Sequence, residues 1–166
     1  GLQLLPALTA SETYAVKQIP LPQDDRDVEE IEVSGLKVPL ERHQEVIKLM
    51  QSQQASQQHV LTTFAKIVEL PSTLYIVMEL LQGPDLLDFL IEEGKPLSED
   101  EAAELTRQML VAVQHLHRVV GVVHRDVKPE NFGFSSKAKR PLPALKLFDF
   151  GLVTILPAPV SEETAS

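Results

Sequence analysis

A chain of 166 residues, 43% of them hydrophobic, is long enough for one domain with an apolar core. Its net charge of -9 excludes a sequence-independent nucleic-acid binder, which needs a basic surface. With no cysteine, disulfides, thiolate catalysis and Cys-ligated zinc are excluded, and the five histidines form no paired ligand pattern on a helix face.

The apolar opening GLQLLPALTA lacks the basic residues of a signal peptide, and no apolar run anywhere reaches the ~20 residues of a bilayer-spanning helix. The chain begins without methionine, as expected of a piece of a longer protein. Residues 13–19, TYAVKQI, predict a strand rich in β-branched and aromatic side chains. Residues 21–39 carry the acidic run DDRDVEEIE with prolines 22 and 39, and read as a solvated loop. A helix is predicted from about Leu40, with Val46, Leu49 and Met50 on one face. It runs into the Gln/Ser-rich QSQQASQQ, a turn without identifiable chemistry.

Two strands follow over 61–69 and 73–79, divided by Pro71-Ser72, and Gly83-Pro84 ends the extended run. Leu86, Leu87, Leu90 and Ile91 predict a short helix closed by Gly94. Ser98 and Glu101 form a capping box opening a long helix with Leu105, Met109, Ala112, Val113 and Leu116 on one face. Beyond Gly121 the short apolar pieces VVH, FGF and LKLF fit strands around a loop-borne site. The order predicts an α+β protein with two lobes and no internal repeats.

Three segments carry the chemistry. His124-Arg125-Asp126-Val127-Lys128-Pro129-Glu130-Asn131 matches HRDxKPEN, Asp149-Phe150-Gly151 matches DFG after the apolar strand Leu145–Phe148, and Tyr14-Ala15-Val16-Lys17 matches VAIK. In this order they make the chain resemble the eukaryotic protein kinases over nearly its whole length. The resemblance implies a two-lobed kinase-like fold: a small β-rich N-lobe with one helix (1–79) and a partial helical C-lobe (80–166) ending in the activation segment.

What the resemblance implies for the site agrees with the residue types. Phosphoryl transfer spreads negative charge over the transferred group, so cations and a positioned hydroxyl are needed. Lys17 would grip the α- and β-phosphates, with the small Ala15 on the same strand face leaving room for adenine. Glu45 would hold Lys17, since Leu49 falls one turn later where the family has an apolar spine residue; Glu41 is the rival. Asp126 would orient the substrate hydroxyl and accept its proton, and Lys128 would neutralise the γ-phosphate. Asn131 and Asp149 are oxygen ligands for Mg²⁺. Arg125 stands where many kinases pair with a phosphorylated activation loop. His124 and Phe150 would pack beneath the helix carrying Glu45. Met78 would be the gatekeeper, with backbone groups of Glu79 and Leu81 bonding adenine. Asp85 and Glu130 lie where some relatives bind a basic substrate residue.

Lysine two residues after the catalytic aspartate is the serine/threonine form, DxKPxN, whereas tyrosine kinases carry DLAARN or DLRAAN. The expected activity is therefore transfer of the ATP γ-phosphate to a protein Ser or Thr hydroxyl, with ATP and Mg²⁺ as cofactors, in an intracellular, cytoplasmic setting. The helix-rich middle and the KPEN loop look somewhat like the calmodulin-dependent group. An inactive scaffold is the alternative and a small-molecule phosphotransferase a third reading. Several features depart from the family. No glycine-rich loop precedes Lys17, of which Gly1 alone would be a remnant, and the fifteen residues after Gly151 hold no APE. An isolated piece of this kind is expected to expose apolar surface, and to fold poorly or be inactive. Gly133, two after Asn131, stands where the family has a leucine under adenine, so Phe132 or Phe134 would have to fill that floor. The stretch 135–144 reads as a loop insertion whose basic residues are available to a partner.

Overall fold

The computed structural model describes residues 13–21, 30–33, 36–52, 61–138 and 140–156. The acidic run before Glu30, the Gln/Ser stretch at 53–60, Gly1 and the segment after Leu156 lie outside them. Strand β1 (Tyr14–Pro20) alternates between exposed and inward positions and ends with Ile19 and Leu21 buried. The stretch read from sequence as a loop instead contains an antiparallel hairpin, β2 (Glu30–Val33) and β3 (Leu36–Pro39). The acidic residues obscured its period-2 pattern: Glu30, Ile31, Glu32 and Val33 alternate polar and apolar, as strands do.

Helix α1 (Leu40–Ser52) follows directly. It buries Val46, Ile47 and Met50 completely, whereas Leu49 is only partly buried. At about 1.5–3 kcal/mol per fully buried aliphatic side chain, these three fix which face of the helix meets the sheet. The sheet is completed by β4 (Phe64–Leu70) and β5 (Thr73–Glu79), joined by a Pro71-Ser72 turn, in the order β1-β5-β4. Central β5 pairs antiparallel with both neighbours, setting Ala15 opposite Met78 and Lys17 opposite Ile76.

The second lobe opens with α2 (Leu86–Glu93), whose N-cap is Asp85 and whose C-cap Gly94 has φ +62°, a conformation glycine adopts without Cβ strain. Helix α3 (Glu99–His115) begins at the reciprocal Ser98–Glu101 capping box. It leads into a π-helical turn, Leu116–Val120, closed by Gly121 at φ +78°. Beneath it lie two small antiparallel pairs. Strands β6 (Val122–Val123) and β9 (Thr154–Ile155) form one, and β7 (Phe132–Phe134) and β8 (Leu145–Leu147) the other. A continuous apolar core joins the lobes, through Leu61, Phe64 and Leu74 on one side and Phe132, Leu147 and Phe150 on the other. Among the described residues no helix is long and apolar enough to cross a membrane. Both helices of this lobe leave apolar side chains in solvent, Ile91 on α2 and Leu110 on α3 being 67% and 64% exposed.

The loop between β7 and β8 folds back onto its own lobe. Arg140 pairs with Glu93 at 3.2 Å and Glu101 at 2.7 Å, and its guanidinium lies 5.7 Å from the Phe89 ring centroid. This arginine is committed to helices α2 and α3, which answers part of the expectation that the loop's basic residues serve a partner.

Candidate active site

The catalytic-loop segment leaves β6 through Arg125, which has φ +65°. The turn is held from below by His124, which is 1% exposed. Its Nε2 donates to the Phe148 carbonyl at 3.0 Å while its Nδ1 accepts from the Asp126 N–H at 3.3 Å. Both ring nitrogens are used by the neutral imidazole, and burial pushes its pKa below the usual 6.5. Its ring also meets Phe150 edge-on, with centroids 5.4 Å apart. Arg125 reaches across to donate from Nε to the Leu152 carbonyl.

Asp126, Lys128 and Asn131 form one cluster. Lys128 Nζ lies 2.9 Å from Asp126 Oδ2, and Asn131 Nδ2 donates to Asp126 Oδ2 at 3.0 Å and to its carbonyl at 2.7 Å. The hydrogen bond from Lys128 holds the Asp126 carboxyl below the ordinary carboxylate range, and the same bond raises the Lys128 pKa. Asp126 is thus a carboxylate at neutral pH, oriented by two donors. Asn131 is 5% exposed, and its backbone carbonyl accepts from the Phe148 N–H at 2.9 Å, tying the loop to the strand before Asp149.

Asp149 sits at φ +58° at the start of a 3₁₀ turn, Phe150–Leu152, accepting from the Gly151 N–H. Its Oδ1 is ion-paired with Lys17 from β1, so the two motifs farthest apart in sequence meet across the lobes. Lys17, Asp149 and Phe150 border a small inner cavity together with Ile47, Ile76 and Met78. Phe150 packs edge-on against Phe64 as well, at 5.5 Å.

Glu45 is not brought to Lys17. It is exposed and lines an open groove with Glu41, Arg42 and Lys48 against Ile155 and Leu156. Helix geometry explains this: at about 100° per residue, positions 45 and 47 point in nearly opposite directions. With Ile47 facing Lys17 and Phe150, Glu45 faces away, and Glu41, one turn earlier, shares its side. Ile47, not Leu49, borders the inner cavity together with Phe150. The sequence periodicity fitted either residue, and the missed signal was that Val46, Ile47 and Met50 also share a face.

The base-site candidates converge. Ala15, Met78, Glu79, Leu81, Asp85 and Gly133 all border one cleft of about 240 Å³, joined by Thr62 and Phe148. The floor at Gly133 is filled, though not by Phe132 or Phe134. A Cβ placed on Gly133 would stand 2.6 Å from Leu81 Cδ1 and 3.2 Å from Phe148 Cε1. Phe134 instead stacks edge-on with Phe89 beneath α2. The Asp85 carboxylate accepts from the Asp88 N–H at 2.9 Å as the α2 cap. Glu130, the other acid considered for basic substrates, is exposed. The back of the cleft holds a clamp not foreseen from sequence. The Lys146 ammonium, 8% exposed on β8, pairs with Glu79 Oε1, while Glu79 Oε2 accepts from the N–H and hydroxyl of Thr63 at 3.2 and 3.1 Å. A lysine inside an apolar strand between Leu145 and Leu147 was the available signal, because buried lysines are nearly always paired.

The oxygens available to a cation fit a hard divalent ion. Both side-chain hydrogen bonds of Asn131 use its amide nitrogen, and the bonds of the Asp149 carboxylate use Oδ1, which leaves Asn131 Oδ1 and Asp149 Oδ2 as acceptors. Among the described residues no group of three or more His, Cys, Asp and Glu side chains forms a metal cage by itself. Two side-chain oxygens are what a phosphate-bridging ion needs from protein.

Residues 6–165 match the family described as protein kinase domain. The chain belongs to the protein kinase family. Similar kinases include the SNF1-related protein kinase catalytic subunit alpha KIN12 of Arabidopsis thaliana, 31% identical over 122 residues, or 74% of this chain and 22% of that protein. The calcium/calmodulin-dependent serine/threonine-protein kinase 1 of Oryza sativa subsp. japonica is 46% identical over 92 residues, covering 55% of this chain and 15% of the relative. CDPK-related kinase 1 of Arabidopsis thaliana is also 46% identical over 92 residues, covering 55% and 16%. The kinase chain thus spans between 15% and 22% of these relatives. Its architecture, a small antiparallel sheet with one helix beside a helical part, is the two-lobed kinase fold.

Proposed function

We propose that this chain is the nucleotide-binding and reaction core of a serine/threonine protein kinase, which transfers the ATP γ-phosphate to a Ser or Thr hydroxyl of a protein. The observation that carries the reading is the meeting of Lys17 with Asp149 beside the cluster of Asp126, Lys128 and Asn131. The cleft of about 240 Å³ bordered by Ala15, Met78, Glu79, Leu81 and Gly133 supplies room for a purine. The serine/threonine class is supported by Lys128 two residues after Asp126 and by the similarity to a calcium/calmodulin-dependent serine/threonine-protein kinase.

In this reading Ala15, Met78, Leu81 and Gly133 bound the base, and backbone groups of Glu79 and Leu81 bond its edge. Asp85 borders the same nucleotide site. Lys17 holds the α- and β-phosphates once they displace it from Asp149, and Lys128 balances charge on the γ-phosphate. Asp126, held ionised and aimed by Lys128 and Asn131, accepts a hydrogen bond from the substrate hydroxyl and takes its proton. Mg²⁺ held by Asn131 and Asp149 would neutralise phosphate charge in the transition state. Glu45 meets Lys17 after a turn of α1 that exchanges it with Ile47. The division into an N-lobe, residues 1–79, and a C-lobe, 80–166, and a cytoplasmic setting where ATP is abundant belong to the same reading.

The test is phosphate transfer from Mg·ATP to a mixture of Ser, Thr and Tyr peptides. The Ser and Thr peptides are expected to be labelled and the Tyr peptides not. Asp126→Asn is expected to lower kcat by roughly 10²–10⁴ with the melting temperature nearly kept. Undiminished transfer by Asp126→Asn, or labelling of Tyr peptides, refutes the assignment.

A further inference from the structure

The clamp behind the base cleft joins the hinge, the segment running on from Glu79 through Leu81 between the lobes, to the floor of the cleft. Lys146 stands in β8 between the buried Leu145 and Leu147, in register with Gly133 of β7, which borders the cleft. Its ammonium pairs with Glu79 Oε1 at the end of β5. Glu79 is also held by Thr63, whose carbonyl accepts from the Glu79 N–H at 2.8 Å. The Thr63 N–H and hydroxyl in turn donate to Glu79 Oε2 at 3.2 and 3.1 Å. A backbone bond of 3.0 Å from the Thr62 N–H to the Leu147 carbonyl ties β8 to the segment before β4, whereas Lys146 ties it to the hinge itself. The phosphate end has separate bonds, Lys17 pairing with Asp149, and Lys128 and Asn131 bonding Asp126. Pairing offsets little more than the cost of taking an ammonium out of water, and apolar residues of the same volume commonly serve stability as well. What a charged pair adds here is one defined geometry between hinge and floor.

We propose that Lys146 is a positioning residue for the nucleobase. Through Glu79 it fixes the spacing between the hinge backbone, which bonds the base edge, and the β7–β8 floor on which the base lies; this rests on the ATP-site reading above. A planar base is held by close contact on both faces, and a gap of about 0.5–1 Å already forfeits a quarter to a half of a dispersion contact. A small shift of the hinge against the floor therefore weakens the grip on the base, while the contacts to the phosphates persist.

The experiment compares wild type, Lys146→Met and Glu79→Gln by calorimetric titration, well below every melting temperature, with Mg·ATP and with Mg·tripolyphosphate. The second ligand carries the phosphates without the base. Glu79→Gln breaks the pair from the other side, keeps an oxygen for Thr63, and serves as the second variant should Lys146→Met not fold. Each folded variant is expected to bind Mg·ATP roughly three- to tenfold more weakly than wild type. Mg·tripolyphosphate is expected to bind within about twofold of wild type, because the phosphate end is held independently. An equal loss for both ligands marks a general loosening of the fold and overturns the proposal, as does unchanged Mg·ATP affinity in a folded variant. A wild-type chain that binds neither ligand overturns the ATP-site reading, and this proposal with it.

Discussion

Replacing Gly133 with alanine sets two opposite effects against each other, and the geometry decides which wins. The backbone of Gly133 is not in a left-handed conformation, so alanine would meet no strain there. In open space the change would then stabilise by about 0.4–1 kcal/mol through lost unfolded-state entropy. The space is not open. The new Cβ would lie 2.6 Å from Leu81 Cδ1, against the ~3.5–4.0 Å of a carbon–carbon contact, so Leu81 must move by about 1 Å. Phe148 Cε1 at 3.2 Å has to give by only a few tenths of an ångström. Leu81 Cδ1 is the free end of its side chain, which places the cost near the low end of overpacking, about 1–2 kcal/mol. For a chain of this size that lowers the melting temperature by roughly 2–8 °C. Urea denaturation of Gly133→Ala, Leu81→Ala and the double variant measures the coupling. The double variant is expected to be more stable than the sum of the single changes predicts, by roughly 0.5–2 kcal/mol. A stabilised Gly133→Ala, or strictly additive variants, refutes the claim that Leu81 occupies the floor.

Two further outcomes follow from buried groups. Burial lowers the pKa of both His115 and His124 below 6.5 in the folded chain, so the unfolded chain binds protons more readily. The stability they contribute is complete above about pH 6.5 and declines as pH falls below it. Urea midpoints between pH 7.5 and 5 should show this, with a flatter slope in His124→Gln; an unchanged slope contradicts the buried neutral imidazole. Lys146→Met removes the clamp on Glu79, leaving a carboxylate that keeps its two bonds to Thr63. The expected cost is roughly 1–3 kcal/mol, less than for a fully buried pair because Glu79 is partly exposed. Adding Glu79→Gln should recover part of it in denaturant melts, and no recovery would mean the pair is not coupled.

The motifs were legible because each sits where local chemistry fixes it. HRDxKPEN and DFG are contiguous strings, and the period-2 alternation of TYAVKQI sets Ala15 and Lys17 on one strand face. Gly94 and the Ser98–Glu101 box likewise announced helix ends through backbone rules that act within four residues. What stayed hidden was rotational or long-range. The face α1 presents is decided by which of the near-isosteric Ile47 and Leu49 meets Phe150, a residue more than a hundred positions away in sequence that only the folded chain brings to the helix. Filling at Gly133 comes from Leu81 and Phe148, distant in sequence and close only once β7, β8 and the hinge assemble. The β2–β3 hairpin was concealed by acidic residues on alternate positions, which match a solvated loop in composition and a strand in period.

The most direct test of the central claim is the melting temperature of the chain titrated with Mg·ATP, beside Lys17→Met and Asp149→Asn. A nucleotide held between the Lys17–Asp149 pair and the hinge stabilises the folded state by about 2.7 kcal/mol at a hundredfold excess over Kd. That corresponds to a rise of roughly 5–11 °C, which both substitutions should diminish sharply. A melting temperature unmoved by millimolar Mg·ATP, or a rise that both variants retain in full, would contradict the account.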